Sequence, residues 1–189
     1  MIDKKNQEKI EHAVRDILSA VGEDPDREGL VETPARVARM YAEVFATKTA
    51  EPFDNYKLFE VENPTEMVLL KDIPFYSMCE HHLLPFFGTV QVAYVPQHNQ
   101  VIGLSKIPRL IDYCSKQPNV QERLTVMIAT ELQRILDPAG IAVSIMARHM
   151  CMEMRGVSKT GVQTESSYYS GQFKTDRELK REFLQRIAK

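Results

Sequence analysis

Apolar residues recur at helical spacing near the start of the chain, at Ile10, Val14, Ile17, Leu18 and Val21, until Gly22 and the polar run from Glu23 to Arg27 end the pattern. This predicts a first helix. Thr33 before Pro34 reads as an N-cap followed by a first-turn proline, and Val37, Tyr41 and Val44 form the apolar stripe of a second helix. Lys48 to Thr65 has no clear period and contains Pro52 and Pro64, so it reads as a connection. The expected division is a helical arm with linker over 1–65 and a main domain over 66–189.

The period then changes. Met67 to Leu70 with Ile73, and Val90, Val92 and Tyr94 alternating with Thr89, Gln91 and Ala93, predict two strands joined by a long loop from Phe75 to Phe86. Ser105 is placed to cap a short helix carrying Ile107, Leu110, Ile111 and Cys114. Asn119 is placed to cap a longer one carrying Leu124, Ile128, Leu132 and Ile135. Ile141, Val143, Ile145 and Ala147 alternate as a third strand, and Ser166 to Phe173 gives a weaker fourth. Thr175 with Glu178 has the spacing of a capping box before Leu179, Phe183 and Ile187. The order αα-ββααββ-α predicts an α+β fold, for which an antiparallel sheet is the economical solution.

Composition narrows the function classes. A chain of 189 residues, 43% hydrophobic and 26% charged, suits one globular domain with a small appended piece. Its formal net charge of −2 gives no bulk attraction to nucleic acid or to a membrane surface, so an anion site must be a local cluster. The N-terminus is polar and no window approaches the roughly 20 apolar residues of a membrane span, so a cytoplasmic protein is expected. Three cysteines without a secretory signal argue for reduced thiols used in metal binding or burial.

Cys79, Glu80, His81 and His82 fall in the predicted loop, where a Cys and a His three positions apart can both turn toward one ion. His149, Cys151 and Arg155 share parity, and if the third strand continues through them they project from one face and meet that loop. Soft thiolates with imidazole suit zinc, and two cysteines with one histidine leave a fourth position for water. A closed structural site would instead use both His81 and His82, or add His149. Cys114 lies on an apolar helical stripe and reads as a small buried residue.

Ser105, Lys106 and Arg109 stand at the start of a predicted helix, where free N–H groups and the helix dipole already favour an anion. Cations there oppose the dipole, and a bound phosphate explains them directly. Arg155 and Arg36 are further basic candidates. Neither a Walker loop nor a dinucleotide-binding glycine motif is present. Glu122, beside Gln121, has two readings: N3 of a capping box with Asn119, or a carboxylate accepting the paired N1 and N2 hydrogens that guanine offers and adenine does not.

Taken together, Cys79-Glu80-His81-His82, Gly103-Leu104-Ser105-Lys106 with Arg109, Val120-Gln121-Glu122-Arg123-Leu124-Thr125, and His149-Met150-Cys151 with Arg155-Gly156 resemble GTP cyclohydrolase I. The likeness runs from Glu32-Thr33-Pro34 with Arg36 to the C-terminal helix. It implies a tunnelling fold, in which ββααββ subunits join their sheets into barrels, and a homodecamer with active sites at subunit interfaces. It further implies one Zn2+ per subunit on Cys79, His82 and Cys151, proton transfer by His81 and His149, and assistance from Ser105 in later steps. Gln121 and Glu122 would hold guanine. Lys106, Arg109, Arg155 and a neighbouring subunit's Arg36 would hold the triphosphate of GTP, with Ser105 beside them. The implied reaction opens the imidazole ring, releases formate and recloses a pterin, giving 7,8-dihydroneopterin triphosphate at the first step of tetrahydrofolate or related pterin synthesis. The N-terminus lacks the extension of animal enzymes, so no regulatory partner protein is expected.

Two other readings compete with this one. Another pterin or deazapurine enzyme of the tunnelling fold would share these elements, because fold does not fix reaction. A zinc-stabilised binding module without turnover would need Cys79, His82 and Cys151 but could dispense with His149. A zinc base deaminase would need His-x-Glu and Pro-Cys-x-x-Cys, and the chain has neither.

Overall fold

The structure is a computed structural model that describes residues 2–47 and 51–188. It divides into two compact units, Met1–Ala50 and Glu51–Lys189. Of the connection expected from Lys48 to Thr65, Lys48–Ala50 lie outside the described residues. From 51 onward the segment belongs to the second unit: Arg134 Nη2 donates to Phe53 O at 2.6 Å, and Phe53 is buried in the core.

The first unit is a pair of packed helices, α1 (Lys4–Ala20) and α2 (Thr33–Val44). Asp3 caps α1 by accepting from Asn6 N at 2.8 Å. The cap of α2 is Glu32 rather than Thr33, which becomes the first helical residue; Pro34 follows in the first turn, where a missing N–H costs nothing. The amphipathic stripe of α1 is present, yet none of its residues is buried, and Ile17 is 61% exposed.

The second unit comprises β1 (Leu58–Glu60), β2 (Val68–Cys79), β3 (Pro85–Val95), β4 (Gln100–Ile102), α3 (Lys106–Ser115), β5 (Pro118–Asn119), α4 (Gln121–Leu136), β6 (Gly140–His149), α5 (Met150–Glu153), β7 (Thr164–Gly171), α6 (Gln172–Thr175) and α7 (Arg177–Ile187). The expected α+β order is present, with short extra elements inserted. The main sheet runs β5-β2-β3-β6-β7, antiparallel except where β5 lies parallel to β2; β1 and β4 form a separate pair.

The loop expected from Phe75 to Phe86 shrinks to residues 80–84, because both strands run on with Phe75 opposite Gly88 and Met78 opposite Pro85. Alternation explains the extension: Phe75, Ser77 and Cys79 are buried while Tyr76 is 74% exposed. Gly88 permits the next pairing, since a Cβ there would meet Met146 O at 1.9 Å.

Helices α3 and α4 cover one face of the sheet, their Ile107, Leu110, Ile111, Leu124, Ile128 and Leu132 packing on Phe75, Phe86, Val90, Val92, Val143 and Ile145. The opposite face of β3 and β6 is covered near Ala93 and Ala142 by Phe173 and Phe183 from α6 and α7. Two further caps differ from expectation. Val120, extended at φ −118°, is the cap residue of α4, while Asn119 sits one position earlier in β5. Asp176, not Thr175, caps α7 by accepting from Glu178 N and Leu179 N. No helix among the described residues is long and apolar enough to cross a membrane.

Candidate active site

Strand register assembles the site at one end of the sheet. Parallel pairing sets Cys79 opposite Asn119, which brings the start of α4 beside the end of β2. Antiparallel pairing sets His149, the last residue of β6, opposite Phe86 near the start of β3. Between β2 and β3 the chain reverses through a tight turn: Cys79 N donates to Leu84 O at 2.8 Å, Leu83 N to Cys79 O at 2.8 Å, and Glu80 N to Asn119 O at 3.0 Å. Leu83 adopts φ 51° to close it, a left-handed conformation that a leucine holds only when its surroundings enforce it.

One ligand atom each from Cys79, His82 and Cys151 lies within 4.8 Å of the others, a group that could hold a metal ion. Cys151 does not arrive by continuation of β6. The strand stops at His149 and Met150–Glu153 forms one helical turn, so the parity expected through Arg155 is replaced by a helical path. Burial pushes the Cys151 thiol up, as does the facing Cys79 thiol. Two facing thiols resist ionising together, and a shared cation is what removes that resistance.

The histidines differ. His81 is exposed, with Nδ1 3.8 Å from Cys79 Sγ and Nε2 4.0 Å from Glu80. Glu80 is held by Arg123, which also donates to Asn119 Oδ1 at 2.8 Å. His82 Nε2 lies 2.9 Å from Arg155 Nη1; a guanidinium only donates, so this nitrogen presents its lone pair. His149 is stacked on Phe86, ring centroids 4.9 Å apart and planes within 4°. Burial holds it below the ordinary histidine range, and the Glu122 carboxylate opposes this in part.

Gln121 fixes the tautomer of His149. Its buried Nε2 donates to Ile145 O at 3.0 Å, Thr164 O at 2.9 Å and Ser166 Oγ at 3.0 Å. Backbone carbonyls only accept, so the amide nitrogen must face them and Oε1 must face His149 Nε2, 2.8 Å away. His149 Nε2 therefore carries the hydrogen and Nδ1 the lone pair.

Glu122 is exposed in the first turn of α4. With the cap at Val120, the residue three positions on is Arg123, so the capping box proposed for Glu122 lacks its geometry. Ser105 occupies the cap position of α3 but makes no side-chain capping bond; it and Arg109 are exposed, while Lys106 Nζ donates to Asn55 Oδ1 at 2.8 Å. Arg36 pairs with Glu32 within the first unit. Cys114 is buried in the core, apart from the metal-ligating group.

Comparison with known proteins identifies the family. A family model described as GTP cyclohydrolase I matches residues 10–188. The chain belongs to the GTP cyclohydrolase I family. It is 92% identical to "GTP cyclohydrolase 1" of Lactiplantibacillus plantarum over 189 residues, covering 100% of both chains. It is 58% identical to the protein of that name from Latilactobacillus sakei, covering 98% of each. Against that from Enterococcus faecalis the identity is 55%, covering 98% of this chain and 100% of the relative. The sheet with two helices on one face is the tunnelling fold of that family, in α+β form.

Three residues of the site escaped the sequence reading. Phe86 fell at the end of the predicted loop, and its partnership with His149 depends on strand register. Arg148 and Glu153 form a fork-shaped ion pair across the turn that bears Cys151. Opposite charges five positions apart match neither helix nor strand spacing, so no local pattern marks them.

Proposed function

We propose that this chain hydrolytically opens the imidazole ring of GTP, releases formate and recloses the product as 7,8-dihydroneopterin triphosphate, at a zinc ion held by Cys79, His82 and Cys151. The convergence of those three ligand atoms beside His149 and the start of α4 carries the reading. Two sulfurs and one imidazole suit zinc and leave a position open. When bound, zinc supplies a Lewis acid and makes water nucleophilic near neutral pH.

The chain's own residues supply recognition and proton handling. The Glu122 carboxylate accepts from guanine N1–H and N2–H, a pair of parallel bonds that adenine cannot return. Gln121 holds the neighbouring edge of the site. His149, with its hydrogen on Nε2 and lone pair on Nδ1, would take up on Nδ1 the proton released by the attacking water and pass it to the ring nitrogen as the imidazole ring opens. His81 is the second proton carrier, and Ser105 assists the later steps at the sugar. Lys106, Arg109 and Arg155 hold the triphosphate, joined by Arg36 of a neighbouring subunit.

That last residue requires an assembly, which we take to be a homodecamer with interfacial sites. The open edge of β7, and the exposed Ile17 on α1 with Val21 after it, are surfaces such an assembly would cover. The protein would act in the cytoplasm, at the first step of tetrahydrofolate or pterin synthesis. The test is incubation of the purified, zinc-loaded protein with GTP and, separately, ATP. Formate and a dihydropterin from GTP alone are expected. GTP left intact, or consumed without formate, would overturn the assignment.

A further inference from the structure

The metal-binding group draws two ligands from a turn and a strand end fixed by backbone pairing, but Cys151 from a single helical turn. Four residues of helix are far too few to be stable alone, and α5 has no side-chain N-cap. Something else must place that thiol. Arg148, the penultimate residue of β6, donates from Nε to Glu153 Oε1 at 2.8 Å and from Nη2 to Oε2 at 2.5 Å. This is a bidentate fork, the geometry that fixes orientation as well as distance.

The pair closes the span from 148 to 153 with Cys151 inside it. The Glu153 side chain is only 5% exposed. Lys159 N donates to Met152 O at 3.0 Å, so the loop after α5 is gathered onto the same turn. Arg148 is itself fixed, its guanidinium lying 5.8 Å over the Phe87 ring, which stacks on Tyr76. Strand alternation puts this anchor on the face opposite His149, which stacks on Phe86. Neither charged group is among the metal ligands.

We propose that the Arg148–Glu153 pair is a clasp that presets Cys151 toward Cys79 and His82, making both residues positioning residues that set the affinity of the metal centre. The inference rests on the reading that Cys79, His82 and Cys151 hold zinc. Without the clasp the turn has several ways to leave β6, and the thiol must be ordered when the metal binds. Supporting contacts of this kind act on metal affinity by about 10- to 100-fold.

The experiment is a titration of the metal-stripped full-length protein with Zn2+ in competition with a chromogenic chelator, on wild type, Arg148→Met, Arg148→Lys and Cys151→Ser. The double variant Arg148→Met/Glu153→Met is added because it leaves no buried carboxylate unpaired and so guards against simple misfolding. Arg148→Met and the double variant are expected to bind Zn2+ about 10- to 100-fold more weakly than wild type. Lysine keeps the charge without the fork and should fall between. The Co2+-substituted protein gives a second readout: thiolate-to-metal charge transfer should lose intensity in the clasp variants, which a general loss of stability in a still-folded protein does not produce.

If the double variant is folded and binds Zn2+ as tightly as wild type, with unchanged Co2+ spectra, the clasp is refuted. That result leaves the metal reading intact as long as Cys151→Ser has lost the ion. If wild type itself binds no Zn2+, or Cys151→Ser binds it as well as wild type, the ligand assignment and the clasp fall together.

Discussion

The two walls of the site are built by different means. On one side, Cys79 to Leu84 is a backbone construction: a strand end, a reversal closed by main-chain hydrogen bonds, and a parallel pairing with Asn119. On the other, Cys151 and Arg155 follow the end of β6 on a short turn tied down by side chains. Main-chain pairing tolerates many side-chain identities, so the first wall can devote Cys79, His81 and His82 to chemistry. The second must spend Arg148 and Glu153 on holding itself in place. Substitutions near the second wall should therefore disturb the site at lower cost to the fold.

The largest expected effect tests whether both walls serve one ion. Cys151→Ser should lose zinc by at least about a hundredfold in affinity and lose formate release with it, since removing a ligand exceeds the loss of a supporting contact. Metal analysis and a turnover assay on one preparation check this. Retention of both would remove Cys151 from the centre. Chelation of the wild type should likewise stop turnover while the circular dichroism persists, because most of the core of the second unit, such as Ile107, Leu124, Val92 and Val143, is built from aliphatic side chains that are not metal ligands. Collapse of the fold on chelation would favour a structural site.

Next in size are the cations that belong to neither wall. Lys106→Ala and Arg109→Ala should each weaken GTP binding by about 1.5 to 3 kcal/mol through loss of a charge-assisted contact, with guanosine far less affected and zinc unchanged. Equal losses for nucleotide and nucleoside would mean that the start of α3 does not touch phosphate.

Glu122→Gln comes third. Its cap reading is gone, because the cap of α4 is Val120, so stability should scarcely move. Guanine recognition should weaken at least tenfold in kcat/KM, about 1.4 kcal/mol, since the amide turns a donor toward a donor. Normal use of GTP by this variant would place base recognition elsewhere.

The contrast between the walls also marks what was legible in the sequence. Periodicity located the long helices and the strands, because each buries a continuous apolar face, as Leu124, Ile128 and Leu132 do on α4. The chemistry-bearing motifs were equally plain as residue types. Caps slipped by one residue at Thr33, Asn119 and Thr175, since several neighbouring side chains are able to cap and only the backbone angles decide. The turn at Met150–Glu153 was unreadable: four residues are too few to separate 2.0 from 3.6 periodicity, and what holds them lies outside any repeat. Helix α1 shows the converse limit, a strong stripe of which Ile10, Val14 and Leu18 are only half-buried.

The smallest effect concerns the third thiol, and it sharpens what distinguishes a ligand from a packed cysteine. Cys114 is fully buried on α3 among aliphatic side chains, and burial, reinforced by the Glu131 carboxylate, pushes its thiol far up. Among the described residues it belongs to no group of side chains that could hold a metal ion, so nothing offsets the cost of making it a thiolate. Cys151 is also pushed up, but it faces Cys79 and His82, so a cation between them would reverse the shift. Cys114→Ala should therefore remove only packing, about 1 kcal/mol, and lower Tm by roughly 2 to 4 °C for a chain of this size. Zinc content and formate release should equal those of the wild type. Loss of metal in Cys114→Ala would mean that burial and thiol neutrality do not separate structural from ligating cysteines here, and that the end of α3 helps to shape the wall carrying Cys79.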